Sequence, residues 1–101
     1  MLRTLFGMGP KVDLGELARN GATILDVRTK GEYAEGHVKG SLNIPLDRLA
    51  EEIKRVPKGK KVITCCRSGA RSGMAVRILE QHGLEAYNGG AWTTVRALLG
   101  K

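Results

Sequence analysis

The chain has 101 residues, of which 42% are hydrophobic and 27% charged, a composition typical of one globular domain rather than of a disordered or fibrous protein. No stretch approaches the roughly 20 apolar residues that a transmembrane helix needs, so a membrane-spanning role is not expected. The formal net charge of +7 suits an anionic substrate, but the four aromatic residues are scattered and form no stacking platform beside a basic stripe, which argues against a nucleic-acid partner.

The two cysteines are adjacent, at Cys65 and Cys66, and cannot form a framework of disulfides across a fold. A reducing compartment is therefore expected. The first ten residues hold an apolar run too short for a secretory signal, which favours the cytoplasm. We expect residues 1–11 to be a poorly ordered N-terminal extension and residues 12–101 to form a single domain.

Strand-like and helix-like patterns alternate along the chain, which predicts an α/β fold. In the first half, the predicted elements are a helix over 14–19 capped by Asp13, a strand over 22–27, a helical turn from Thr29 to Tyr33, a turn over 36–40, a strand over 41–44, and helical spacing of apolar residues over 46–56. In the second half they are a central parallel strand over 61–65 that ends at Cys66, a helix over 71–82 closed by Gly83, a strand over 84–87, and a terminal helix over 91–99.

Cys66 stands where a buried strand gives way to a loop and then to a helix. In open α/β sheets, sites form at the carboxyl ends of strands. Gly69 and Gly73 allow the backbone to curl, so that amide N–H groups and the positive end of the next helix converge on the sulfur. Nearby Arg67 and Arg71 also favour the thiolate, which is the nucleophilic form of cysteine. These residues predict a reactive cysteine that binds anions.

Cys65 continues the strand, and its side chain should point away from Cys66. It is expected to be a small buried core residue, as free cysteines often are. A role as a resolving thiol that attacks a persulfide on Cys66 is the alternative, although adjacency in the chain makes that geometry awkward.

Motifs along nearly the whole chain carry a resemblance to a known family. Residues 25–28 (LDVR), with Glu32 and Tyr33, precede residues 36–45 (GHVKGSLNIP). Residues 66–72 (CRSGARS) follow, and then residues 84–90 with Trp92 after them. The chain resembles a rhodanese domain from about Asp13 to Leu99. The resemblance implies an open, mainly parallel five-stranded sheet with helices on both faces.

The resemblance also implies roles for the loop residues. Cys66 is the sulfur-carrying nucleophile, and the main-chain amides of the loop cradle it. Arg67 and Arg71 bind the donor or stabilise the loop, and Ser68 hydrogen-bonds within the cradle. Ser72 belongs to the cradle or satisfies free backbone groups at the start of the helix. The full set of substrate-binding residues is Arg67, Ser68, Gly69, Ala70, Arg71 and Ser72.

Charged residues near the predicted site are expected to support its loops. Asp26 and Arg28 lie at the end of the neighbouring strand, where a carboxylate and a guanidinium can pair with their surroundings, Glu32 included. His37 lies among turn-forming residues, so a structural hydrogen bond is expected rather than general-base catalysis. His82 is expected to be a surface residue near a helix C-terminus.

The spacing of the loop bears on the reaction. Four residues separate Cys66 from Arg71, a spacing that in the rhodanese family goes with sulfur transfer, whereas the related dual-specificity phosphatases have five. Cys65 to Arg71 leaves five, but this interpretation requires Cys65 to leave the strand. The hypothesis is therefore a thiosulfate sulfurtransferase; a phosphatase or arsenate reductase, and a non-catalytic sulfur carrier or interaction module, are the alternatives.

The expected cycle forms a persulfide on Cys66 and passes its outer sulfur to an acceptor. The cycle needs no metal ion and no organic cofactor. Expected partners are a small anionic sulfur donor such as thiosulfate, and a thiol or cyanide acceptor, including a thioredoxin-like or other protein thiol. No nucleic acid or membrane is expected to take part, and the chain is expected to be a monomer or a weak dimer.

Overall fold

The computed structural model describes residues 12–100, which form helices and strands in alternation. In chain order the elements are α1 (Leu14–Arg19), β1 (Thr23–Asp26), α2 (Lys30–Ala34), β2 (Leu42–Asn43), α3 (Leu46–Leu49), a 3-10 helix (Ile53–Arg55), β3 (Val62–Cys66), α4 (Ala70–Gln81), β4 (Ala86–Ala91) and α5 (Trp92–Leu98). The expected N-terminal extension, residues 1–11, lies outside the described residues. None of the helices in residues 12–100 combines the length and the apolar character that crossing a bilayer requires.

Side-chain caps begin two of the helices where the sequence predicts them. Asp13 Oδ1 accepts a hydrogen bond from the Glu16 amide at 3.0 Å at the start of α1. Thr29 and Glu32 form a reciprocal capping box at the start of α2. Gly83 closes α4 with a positive φ of 81°, the conformation that glycine adopts without strain.

The strands form one parallel sheet in the order β2-β1-β3-β4. All five residues of β3 are buried, which confirms the predicted central strand. The chain runs from β1 outward to β2, and then crosses back to β3 on the other side of β1. The carboxyl ends of β1 and β3 therefore flank the point where the strand order reverses, the usual place for a site in such sheets.

The expectation of five strands is wrong for the described residues, because the sheet has four. Between residues 12 and 100, every stretch outside these four strands is helix, turn or loop, so no further strand segment is left in that range. The α/β class and the parallel sheet are confirmed.

Two predicted elements differ from the structure by more than one residue at an end. The apolar spacing over 46–56 is divided between α3 and the 3-10 helix, and its side chains pack on one face of the sheet without a continuous helix. β4 extends through Ala91 rather than ending at Tyr87. It continues because Gly89 lacks a side chain: a Cβ there would lie 2.7 Å from the Thr64 carbonyl oxygen of β3.

Helices cover both faces of the sheet, as expected, and alternate strand residues enter separate cores. On one face, Leu25, Val62 and Cys66 pack with side chains from α3 and α4. On the other face, Ile63 and Cys65 pack with side chains from α1 and α5. Because successive side chains of a strand point to opposite faces, the two adjacent cysteines lie on opposite sides of the sheet.

Candidate active site

Cys66 ends β3, beside the carboxyl end of β1. Asp26, the last residue of β1, is the register partner of Cys65. The polar segment that follows β1 and the loop that follows β3 therefore meet at one edge of the sheet. The predicted site residues are brought together at this edge.

The backbone after Cys66 turns so that its amides point at the sulfur. The Gly69 amide donates to Cys66 Sγ at 3.0 Å, and the Ser72 amide donates to it at 3.3 Å. Gly69 has a φ of 110° and is the N-cap of α4, so the turn depends on a residue without a Cβ. The positive end of this 12-residue helix adds to the favourable field at the sulfur.

The surroundings of Cys66 favour its ionised form. Burial raises the pKa of the thiol, but hydrogen bonds with the Ser72 hydroxyl and with the amides of Ser72, Gly69 and Ser68 outweigh that effect and hold the pKa below its usual range. The residue is only 1% exposed, so these donors replace the water that would otherwise solvate a thiolate. The arrangement supports a nucleophilic sulfur.

Cys65 lies in the opposite environment. It is fully buried in the second core, and burial together with the Asp26 carboxylate raises the pKa of its thiol to about 12. A thiol of this kind stays protonated at neutral pH. The expectation of a core residue is met, and the geometry does not favour a loop that starts at Cys65.

Ser72 is buried, and its hydroxyl links the loop to β4. Ser72 Oγ lies 3.4 Å from Cys66 Sγ, 2.6 Å from Asn88 Oδ1 and 3.0 Å from the Gly69 carbonyl oxygen. Asn88 also donates from Nδ2 to the Gly69 carbonyl at 3.1 Å. The hydroxyl therefore lies in the cradle, and its backbone contact at the start of the helix is with a carbonyl oxygen rather than with a free N–H group.

Gly73 does not form part of the curled loop, which corrects the expectation. It lies inside α4, and a Cβ there would lie 3.2 Å from Asn88 Nδ2. Because Gly73 has no side chain, it leaves space for the side chain of Asn88.

Arg71 is held by Glu32 rather than pointing to the sulfur. Its guanidinium makes two hydrogen bonds with the carboxylate, at 2.8 and 3.1 Å. This contact, together with the Thr29 amide, lowers the pKa of Glu32 to about 2. The pair joins the loop to the start of α2, so of the two roles expected for Arg71 the contacts match loop stabilisation.

Asp26 and Arg28 form a buried ion pair below the loop. Arg28 Nη2 donates to Asp26 Oδ2 at 2.7 Å, and it also donates to the Gly36 carbonyl at 2.7 Å. The guanidinium carbon lies 4.6 Å from the centroid of the Trp92 ring. Arg28 thus ties together the segments that follow β1 and β4, and its Nη1 donates to the Glu32 backbone carbonyl at 3.3 Å.

The outer part of the loop faces solvent. Arg67, Ser68 and Ala70 are exposed. A shallow cavity of about 270 Å³ lies beside Arg67, and its lining residues are Arg28, Glu32, Glu35, Gly36, Arg67 and Trp92. A larger cavity of about 570 Å³ lies at the amino ends of the strands, and no predicted site residue lines it.

Neither histidine of the described residues lies among the site residues around Cys66. His37 stacks on Tyr33 with ring centroids 3.7 Å apart, and its Nδ1 lies 2.7 Å from the Tyr33 carbonyl oxygen. His82 is the C-cap of α4, with Nδ1 2.9 Å from the Ile78 carbonyl oxygen. Within residues 12–100, no three His, Cys, Asp or Glu side chains come together as a metal site would require.

Comparison with known proteins identifies the family. The rhodanese-like domain matches residues 12–98 of this chain. The chain belongs to the rhodanese-like family. Its relatives include sulfurtransferases: thiosulfate sulfurtransferase PspE of Escherichia coli is 41% identical over 61 residues, covering 58% of this chain and 59% of PspE. A sulfurtransferase of Allochromatium vinosum is 37% identical over 60 residues, covering 59% of this chain and 56% of that protein. The matched part thus spans a little over half the length of such relatives.

Solved structures of rhodanese-like proteins share the fold over a larger part of the chain. The human single-domain sulfurtransferase TSTD1 superposes with a TM-score of 0.69 at 27% identity, covering 86% of this chain and 95% of that one. A rhodanese-related protein of Thermoplasma volcanium gives a TM-score of 0.70 at 33% identity, covering 78% of this chain and 79% of that one. The rhodanese-like fold is therefore established independently of the loop motif.

Sequence reasoning missed two contacts of this rhodanese-like site. It placed Glu32 in the surroundings of Asp26 and Arg28, but it did not predict that the Glu32 carboxylate binds Arg71. It also ended the last strand at residue 87, whereas Asn88 belongs to β4 and contacts the loop. A polar residue near the carboxyl end of the strand next to β3 was the available signal for Asn88.

Proposed function

We propose that this chain is a thiosulfate sulfurtransferase that carries sulfur as a persulfide on Cys66. The observation that carries the proposal is the convergence of the Gly69 and Ser72 amides on Cys66 Sγ, at 3.0 and 3.3 Å. Main-chain donors around a buried sulfur stabilise a thiolate, and they also suit the terminal sulfur of a persulfide, which is anionic as well. The activity of sulfurtransferase relatives supports this assignment.

The proposed reaction has two steps, each with balanced charge. The Cys66 thiolate attacks the outer sulfur of thiosulfate, a new S–S bond forms, and sulfite leaves with the electron pair of the bond that breaks. An acceptor thiolate or cyanide then attacks the outer sulfur of the persulfide. The acceptor leaves as its own persulfide or as thiocyanate, and the Cys66 thiolate is restored.

The surroundings of the loop support a small anionic donor and an accessible acceptor. Arg67 is exposed beside the nucleophile, and the adjacent cavity of about 270 Å³ is shallow. We infer that Arg67 attracts the donor anion, while the exposed loop leaves room for a cyanide ion, a small thiol or a protein thiol. The proposed chemistry takes place on Cys66 without a metal ion or organic cofactor.

A phosphatase or arsenate reductase is the competing activity of this loop type. The four-residue gap between Cys66 and Arg71 favours sulfur transfer, and the five-residue gap would have to start at Cys65. Cys65 has a pKa of about 12 and packs in the opposite core. Among residues 12–100, no contact at the site specifically favours phosphate chemistry.

Intact-mass measurement after incubation with thiosulfate tests the proposal. We expect the protein to gain the mass of one sulfur atom, and to lose it again with release of thiocyanate when cyanide is added. The gain should be absent in Cys66→Ser. Cys65→Ser is the matched control, because it changes the neighbouring cysteine in the same strand, and it should still gain the sulfur.

Three results would contradict the proposal. Loss of the adduct in Cys65→Ser with retention in Cys66→Ser would mean that Cys65, and not Cys66, is the nucleophile. Formation of the adduct without thiocyanate release would indicate an inert carrier. Hydrolysis of an aryl phosphate without sulfur transfer would indicate a phosphatase.

A further inference from the structure

Asn88 makes contacts that neither the loop motif nor the proposed cycle accounts for. It lies in β4, is itself exposed, and reaches the buried Ser72 across the gap between β4 and α4. Asn88 Oδ1 lies 2.6 Å from Ser72 Oγ and accepts from the Gly90 amide at 2.9 Å, while Nδ2 donates to the Gly69 carbonyl at 3.1 Å.

These contacts fix the orientation of the Asn88 amide. The Gly90 N–H can only donate and the Gly69 carbonyl can only accept, so Oδ1 must face Gly90 and Nδ2 must face Gly69. Because Oδ1 has no hydrogen, the short contact to Ser72 requires the serine hydroxyl to be the donor. Asn88 therefore determines where the single hydroxyl hydrogen of Ser72 points.

Both residues that Asn88 contacts in the loop also contact the sulfur. Gly69 places its N–H on Cys66 Sγ, while its carbonyl accepts from Asn88 and from the Gly73 amide at 3.0 Å. The Ser72 N–H donates to Cys66 Sγ, and the Ser72 hydroxyl lies between Sγ and Asn88. Gly69 has a backbone conformation that favours glycine, with a φ of 110°, and such a flexible position benefits from an outside contact.

We propose that Asn88 is a positioning residue for the nucleophile: by binding Gly69 and Ser72 it holds their amides on Cys66 Sγ and directs the Ser72 hydroxyl. While Cys66 is a thiol, its S–H donates to Ser72 Oγ, and the hydroxyl donates to Asn88. When Cys66 ionises, the charged sulfur is the stronger acceptor, and the hydroxyl turns from Asn88 to Sγ. The inference deepens the proposed function, since it concerns how the proposed nucleophile is kept reactive.

The pH dependence of Cys66 alkylation by iodoacetamide tests the inference. Iodoacetamide is neutral and needs no sulfur donor, so this result is independent of whether the protein transfers sulfur. We expect Asn88→Asp to raise the midpoint of the profile by about 0.5–1 pH unit. The carboxylate repels the thiolate, retains the Ser72 hydroxyl more strongly, and cannot donate to the Gly69 carbonyl.

Asn88→Ala separates positioning from charge. Removal of the amide takes one donor from the Gly69 carbonyl and one acceptor from the Ser72 hydroxyl, so the Gly69 and Ser72 amides are held less firmly on Cys66 Sγ. The loop also loses its contact with β4. We therefore expect the midpoint to rise in this variant too, by a smaller amount than in Asn88→Asp.

Asn20→Asp is the matched control, because it adds the same charge at an exposed residue after α1, at the opposite end of the sheet. Its midpoint should stay at the wild-type value. Asn88→Asp is nearly isosteric with the native side chain, and thermal unfolding should show a folded protein. A wild-type midpoint in folded Asn88→Asp would overturn the inference. A shift in Asn88→Asp with none in Asn88→Ala would also overturn it, since charge alone would then explain the effect.

Discussion

Cys65 and Cys66 are adjacent in the chain, yet hydrogen bonding and burial give their thiols different acidities. Cys66 accepts from two amides and ends the strand at the loop. Cys65 has no access to solvent, and its pKa is raised to about 12. The difference arises from strand alternation, since successive side chains leave opposite faces of a sheet.

Alkylation at neutral pH should therefore be selective. At pH 7, we expect iodoacetamide to modify Cys66 and to leave Cys65 intact until the protein is unfolded, because only Cys66 has a lowered thiol pKa. Peptide mass mapping with and without denaturant measures this. Labelling of Cys65 in the folded protein at a rate similar to that of Cys66 would contradict the description of the two environments.

Glu32 and Arg71 link α2 to the loop through a single ion pair. Glu32→Gln removes the charge of the carboxylate and should lower the free energy of unfolding by about 1–2 kcal/mol at pH 7. The loss is modest because the pair is partly exposed and screened by solvent. The effect should depend on pH. The pKa of Glu32 is about 2 in the folded protein, compared with an ordinary value of 4.5.

Because folding lowers this pKa, the pair stabilises the protein fully above about pH 4.5, and its contribution disappears as the pH falls towards 2. Urea unfolding of wild type and Glu32→Gln across this range measures the difference. The two curves should converge at the acid end. A difference that is constant from pH 7 to pH 2 would mean that the ionised carboxylate is not responsible.

At the scale of secondary-structure elements, β3 and β4 pack closely where β4 passes Gly89. A Cβ at this position would lie 2.7 Å from the Thr64 carbonyl oxygen and 2.8 Å from Val95 Cγ2. Gly89→Ala should destabilise the protein by about 1–3 kcal/mol, because both neighbours belong to the packed core region. Chemical denaturation measures the change.

Gly31→Ala is the control for this prediction. Gly31 lies in α2, and no atom lies within 4 Å of a Cβ placed there. The substitution should stabilise the protein by about 0.5 kcal/mol, since alanine favours the helix. Equal destabilisation by both substitutions would show that close packing against β3 is not the cause.

Patterns within single elements were predictable from sequence, and contacts between elements were less so. The buried run of β3 and the caps of α1 and α2 depend on neighbouring residues, which the sequence displays directly. The bond between Arg71 and Glu32 joins residues 39 positions apart, and the bond between Asn88 and Gly69 joins residues 19 apart. Such pairs depend on the packing of helices and strands, which local periodicity does not encode.

At the scale of the whole molecule, the net charge of +7 acts on any anionic substrate before it reaches the loop. We expect the rate of persulfide formation from thiosulfate to fall about two- to tenfold between 0.01 and 0.15 M salt, because the screening length shortens from about 30 to about 8 Å. The rate is measured by quenching the reaction at successive times and determining the fraction of sulfur adduct by mass spectrometry.

Alkylation by neutral iodoacetamide is the control for the salt effect. It should change little over the same range, since an uncharged reagent is not attracted by the protein. A thiosulfate rate that does not respond to salt would show that the excess of positive charge plays no part in donor capture.

The cradle around Cys66 is built mainly of main-chain N–H groups, and this has an evolutionary consequence. Its donors depend on the path of the backbone at Gly69 and on the start of α4, whereas the side chains of Arg67, Ser68 and Ala70 face solvent. Substitutions at these three positions alter what approaches the sulfur without removing the amides that stabilise it. A descendant of this protein can therefore acquire a different binding surface at these positions while Cys66 and its cradle stay the same.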